Sequence, residues 1–165
     1  MAKLRDVILG QFGTGMYLIE KCTADLADHE YFVPAVEGTN HTAWILGHLA
    51  CTEDWAVSLI TGHDKRIDQA THERFQGGSV CVPDASKYPA RNDLDELFRN
   101  TRANTLEALK AFDEGRWDEP SPDESLRDFF PTLGSIWGMQ ATHQFWHIGQ
   151  LTVCRKVMNK KPMLG

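Results

Sequence analysis

Residues 143–151 read HQFWHIGQL. His143 and His147 stand four positions apart, so a helix through this stretch puts both imidazoles on one face, one turn from each other. Pro131 and Thr132 upstream signal a helix start, and the apolar spacing carries that helix on to about Met158. Its inward stripe is predicted to run through Ile136, Met139, Gln140, His143, His147, Gln150, Leu151, Cys154 and Met158. Burying two imidazoles without partners costs on the order of 1 to 3 kcal/mol each. A metal ion, water or Gln side chains can satisfy them.

A spacing of four carries little weight alone in a chain with seven histidines. The informative feature is a third candidate on another helix. Thr39 or Asn40 can cap a helix that runs through His41, Trp44, His48, Cys51 and Trp55 to about Thr61, where Gly62 ends it. Those five residues share one face. His48 lies mid-helix among apolar neighbours and is the expected third ligand. His41 precedes it by seven residues, about 10 Å of helical rise, too far to share one ion; capping or solvent exposure is expected there.

Two further helices complete the pattern. Leu4 to Asp25 carries apolar residues at helical spacing, interrupted by Gly10, Gly13 and Gly15, whose expected use is close helix packing or a bend. Asp93 with Glu96 reads as a capping box opening a helix to Gly115. The stretch from His63 to Asn92, with Gly77, Gly78, Pro83 and Pro89, shows little periodicity and is expected to wrap the bundle or border a pocket. A polar link from Asp118 leads to a short helical turn near Leu126 to Phe130. The fold class is all-α: four helices with long middle connections, one domain over residues 1–165.

Composition narrows the function. The chain has a net charge of −6, and its Lys and Arg cluster only at Arg155, Lys156, Lys160 and Lys161, so a phosphate-tracking surface and nucleic-acid binding are not expected. There is no signal peptide pattern and no run of 18 apolar residues, which predicts a cytoplasmic protein without a membrane span. Cys22, Cys51, Cys81 and Cys154 are far apart and read as reduced, mostly buried thiols. His29, His63 and His72 are expected in solvent, and Trp44, Trp55, Trp137 and Trp146 in the bundle core, with one or two lining a pocket. Glu53 and Asp54 can reach a second shell around His48, although a solvated face explains them more simply. No serine has the context of a nucleophile elbow, and no glycine-rich loop matches a nucleotide fingerprint.

The run from Asn40 to Ala50 (NHTAWILGHLA), the closing HQFWHIGQL, and between them Phe75 to Ser79 (FQGGS) with Tyr88-Pro89 resemble the DinB/YfiT-like superfamily over nearly the whole chain. The resemblance implies an up-down four-helix bundle, commonly a homodimer, with one metal ion held by His48, His143 and His147. Gln144 and Ile148 stand where the family pattern often carries an acidic residue and an Arg.

Three neutral imidazoles leave a divalent ion its full charge and at least one open position, as in catalytic sites. Zinc or nickel suits such ligands, and iron is compatible. Relatives are thought to activate thiols, so the leading expectation is a metal-dependent thiol S-transferase acting on a small-molecule substrate with a low-molecular-weight thiol. Trp44, Trp55 or the middle connection are expected to shape the electrophile pocket. A metal-dependent hydrolase with Glu53 as general base and a non-catalytic metal- or ligand-binding module are the alternatives. No catalytic residue beyond the ligands is assigned.

Overall fold

The computed structural model describes residues 3–163. Five α-helices are present among them: α1 (Leu4–Thr23), α2 (Thr42–Thr61), α3 (Gln69–Phe75), α4 (Arg91–Ala111) and α5 (Leu133–Val157), with four short 3-10 segments in the connections, one before α2, one before α4 and two before α5. The only β feature among the described residues is one antiparallel bridge between Pro120 and Thr132. No helix among them is long and apolar enough to cross a membrane.

Cross-helix bonds fix the direction of each long helix. Gln144 Nε2 donates to the Gln11 carbonyl and Arg155 to that of Cys22, so α1 and α5 run parallel. Gln140 reaches the Thr52 carbonyl and Cys154 that of Asn40, so α5 and α2 are antiparallel. Glu53 pairs with Arg102, while Leu46 and Leu49 pack in one cluster with Leu94 and Phe98 and Ile60 packs in another with Leu109; α2 and α4 therefore advance together. Arg102 donates to the Phe12 carbonyl and Arg91 to that of Thr23, which makes α4 antiparallel to α1.

The all-α four-helix bundle expected from sequence is thus refined to the order up, down, down, up. Two adjacent helices that run parallel cannot be joined by a tight turn. The chain from Gly62 to Ala90 must travel back along α2, about 30 Å for its 20 residues. That return explains the long middle connection, and α3 is the part of it that packs on α2.

Local chemistry sets the helix ends. α2 is capped by the His41 side chain, whose Nδ1 accepts from the Trp44 amide, and stops at Gly62 in the left-handed region (φ 75°). α5 opens with Thr132 and Ser135 exchanging hydrogen bonds in a capping box. α4 begins at Arg91 with no side-chain cap, so Asp93 is a first-turn acid and the expected Asp93/Glu96 box is not formed. α3 was not expected; Asp68 caps it by accepting from the Thr71 amide. Of the glycines in α1, Gly15 packs, because a Cβ there would overlap the Gln144 amide, whereas Gly10 and Gly13 have open space. Gln144 is therefore a packing residue between α1 and α5.

The core divides into two clusters. One gathers Ile19, Leu46, Leu49, Phe75, Leu94, Phe98, Ile148 and Leu151; the other Ile8, Phe12, Ile60, Leu109, Phe112, Ile136 and Trp137. Arg102 lies where they meet, its guanidinium 4.9 Å from the Phe12 ring centre and 5.0 Å from that of Phe98. Glu53, 2% exposed, satisfies it. Glu53 is thus neither a solvated residue nor a free base. Asp54 is buried as well, accepting from the amides of Arg66 and Ile67 and from His72 Nε2, which also removes His72 from solvent.

Candidate metal centre

The buried arc of α5 comprises Leu133, Ile136, Trp137, Gln140, Ala141, Gln144, His147, Ile148, Leu151, Cys154 and Arg155. Its centre lies about 60° round the helix from the stripe expected from sequence, at 100° per residue. Met139, His143 and Met158 are only half-buried, and Gln150 is exposed. Trp146, expected in the core, is 78% exposed. The two histidines therefore sit at the border of the core: His147 is buried, and His143 is turned one step towards the open face.

His48 from α2 meets them there. The Nε2 of His143 lies 3.0 Å from that of His147 and 3.4 Å from that of His48, and one ligand atom from each ring falls within 4.8 Å of the others. Ligand nitrogens about 2.0 to 2.1 Å from a common zinc ion stand roughly 2.9 to 3.4 Å apart for angles between 90° and tetrahedral. The two spacings from His143 match.

Hydrogen bonds on the far side of the rings set the tautomers. His48 Nδ1 is 2.7 Å from the Phe75 carbonyl, which can only accept, so Nδ1 carries the proton and Nε2 keeps its lone pair. His147 Nδ1 donates likewise to Gln150 Oε1 at 2.9 Å. Outer partners of this kind orient metal-binding imidazoles. Converging lone pairs at such distances repel unless a cation or proton lies between them. A second proton on any ring is disfavoured: burial, and then the neighbouring rings, push His143 down to about 3 and His147 to about 4, and burial also lowers His48, so all three rings are neutral. Three neutral imidazoles can hold a divalent ion.

The surroundings keep this geometry. The Trp44 indole stacks on His48 with ring centres 4.6 Å apart and planes 13° from parallel, and its Nε1 donates to Ser79 Oγ, which in turn donates to the Arg74 carbonyl. Gly47 lets the Phe75 ring lie directly on α2, since any Cβ there would enter the ring. Trp146 stands edge-on to His143 at 6.3 Å. Trp55 belongs to the other core cluster and does not border the three rings.

His41 is apart from the cluster, as its helical distance required. It is fully buried rather than exposed, with Nδ1 accepting from Trp44 N and Nε2 donating to the Val82 carbonyl. Sequence reasoning missed the Phe75 carbonyl, for which residue type carries no signal, and the role of Gln150, which its position three residues after His147 could have suggested.

A family model described as the DinB superfamily matches residues 14–151, from the middle of α1 to Leu151, just beyond the histidine pair. The chain belongs to the DinB superfamily. No curated protein matches it. Within this DinB bundle the matched region contains all three converging histidines and every side chain that orients them.

Proposed function

We propose that His48, His143 and His147 hold one divalent metal ion, zinc or nickel before iron, and that this DinB protein uses it as a thiol S-transferase. The observation that carries the reading is the convergence of three Nε2 atoms, with the opposite nitrogens of His48 and His147 already committed as donors. A divalent ion there supplies positive charge that lowers the pKa of a thiol or a water.

The surrounding residues favour the thiol. Hydrolysis assisted by a general base cannot draw on Glu53, which is sealed against Arg102. A thiol ionises near 8.5 against about 16 for water, so it needs a far smaller shift and no base. The thiol in this reading is an external, low-molecular-weight one: burial pushes Cys22 up to about 11 and Cys51 to about 12 and also raises Cys154, and Cys81 is not part of the three-histidine cluster. Half-buried His143 marks the side from which a small substrate approaches.

We also propose a homodimer through the outer face of α5. Residues 133–154 contain no Asp, Glu, Lys or Arg, yet Trp146 and Val153 there, with Val157 below them, are about half exposed or more. Depletion of charge on an exposed apolar face is what interface centres share.

The test of the metal reading is elemental analysis of protein purified without a histidine tag, paired with turnover assays with and without added thiol. About one equivalent of metal, lost in His48→Ala together with thiol-dependent turnover, is the expected result. Turnover untouched by that substitution, or independent of thiol, overturns the transferase reading.

A further inference from the structure

Two buried polar atoms beside the three-histidine cluster have no partner: His143 Nδ1 and Gln140 Oε1. They belong to residues three apart on α5, the spacing at which helical side chains meet. The remainder of the Gln140 amide is fixed, because its Nε2 donates to the Thr52 carbonyl at 3.0 Å. Thr52 lies one turn beyond His48 on α2, and its hydroxyl donates to the His48 carbonyl. The Gln140 amide therefore bridges α2 and α5 directly beneath the pair of rings that those helices bring together, at 2% exposure.

The chemistry of the two atoms is complementary. An imidazole bound to a cation through Nε2 carries its proton on Nδ1, and a buried N–H without an acceptor costs about 1 to 3 kcal/mol. An amide oxygen is an acceptor only. The other two rings already follow this rule, His48 towards the Phe75 carbonyl and His147 towards Gln150 Oε1.

We infer that Gln140 is the positioning residue of His143, its Oε1 accepting the Nδ1–H directly or through one water, so that all three rings are oriented from outside the centre. The inference rests on the proposal that His143 is a metal ligand. Gln140 touches neither ion nor substrate; it acts through the ring.

Zinc titration against a chromophoric chelator, on wild type, Gln140→Met and Gln140→Glu, tests it. Loss of an outer-shell partner lowers metal affinity by about 10- to 100-fold, and that loss is expected in Gln140→Met. Gln140→Glu keeps an acceptor facing the ring and is expected to stay within roughly threefold of wild type. In the zinc-loaded proteins, the His143 Nδ1 proton, followed by NMR, exchanges slowly in wild type and fast in Gln140→Met. A merely structural role would lower the melting temperature of the metal-free variant without this proton effect. Wild type that binds zinc while Gln140→Met binds it equally well, or keeps a slow Nδ1 proton, overturns the inference alone. Wild type that binds no zinc overturns the metal reading, and this inference with it.

Discussion

Glu53 and Arg102 face each other across α2 and α4 through three hydrogen bonds of 2.6 to 3.1 Å, with both side chains 2% exposed. Removing one partner from such a pair leaves a buried charge without compensation and typically costs about 3 to 5 kcal/mol. Glu53→Leu and Arg102→Met are each expected to lose that much in urea unfolding, and the double variant to recover most of it. Single variants within about 1 kcal/mol of wild type would mean that water reaches the pair.

The two histidines of α2 should separate cleanly. His48→Ala is expected to abolish metal binding and, because the buried Phe75 carbonyl loses its donor, to lower metal-free stability by about 1 to 3 kcal/mol. His41→Ala is expected to keep the metal but to lose about 1 to 3 kcal/mol, because the Val82 carbonyl and the Trp44 amide both lose a buried partner. Metal content and a denaturation curve on each protein check this; loss of metal in His41→Ala would contradict it.

Gly47→Ala probes the contact that fixes the Phe75 carbonyl. The added methyl must displace the Phe75 ring, with an overpacking cost of about 1 to 3 kcal/mol. Metal affinity should fall as well, since the same residue orients His48. A variant with lowered stability and unchanged affinity would separate the ring from the carbonyl.

Acid should destabilise the metal-free protein. His143 and His147 bind protons near 6.5 when unfolded but only at about 3 and about 4 when folded. Between those values the unfolded chain holds more protons, so stability rises with pH. The contribution is complete above about pH 6.5 and is lost on descending towards pH 3, at up to about 1.4 kcal/mol per pH unit for each ring. Urea midpoints at pH 7, 6 and 5 measure the slope; a flat profile would place these rings in contact with solvent.

Trp146→Glu tests the proposed dimer. An exposed substitution normally changes stability by about 0.5 kcal/mol or less. Sedimentation should therefore show a shift from dimer towards monomer with the fold intact. Wild type that sediments as a monomer at micromolar concentration would remove the proposal.

Periodicity made the four long helices legible, and the mid-helix place of His48 among apolar neighbours is what favoured it over His41. Other features depend on partners far along the chain. The burial of Glu53 needs Arg102, 49 residues away, and is invisible from α2 itself. α3 has seven residues, fewer than two turns, too short for a hydrophobic period to register; Asp68 with Thr71 was its one local sign. The arc of α5 was misplaced because polar His and Gln on one side and apolar Trp146, Val153 and Val157 on the other leave it without a clear apolar face. Which side is buried is decided by the neighbours α1 and α2.

His48 and His143 are separated by 95 positions, and α5 is the last helix among the described residues. During synthesis the centre cannot assemble until α5 has left the ribosome, so a nascent chain exposes only His48 of the three until then. On the proposed metal reading, capture of an ion reports that α2 and α5 have met: misfolded chains, lacking that contact, would compete poorly for scarce metal.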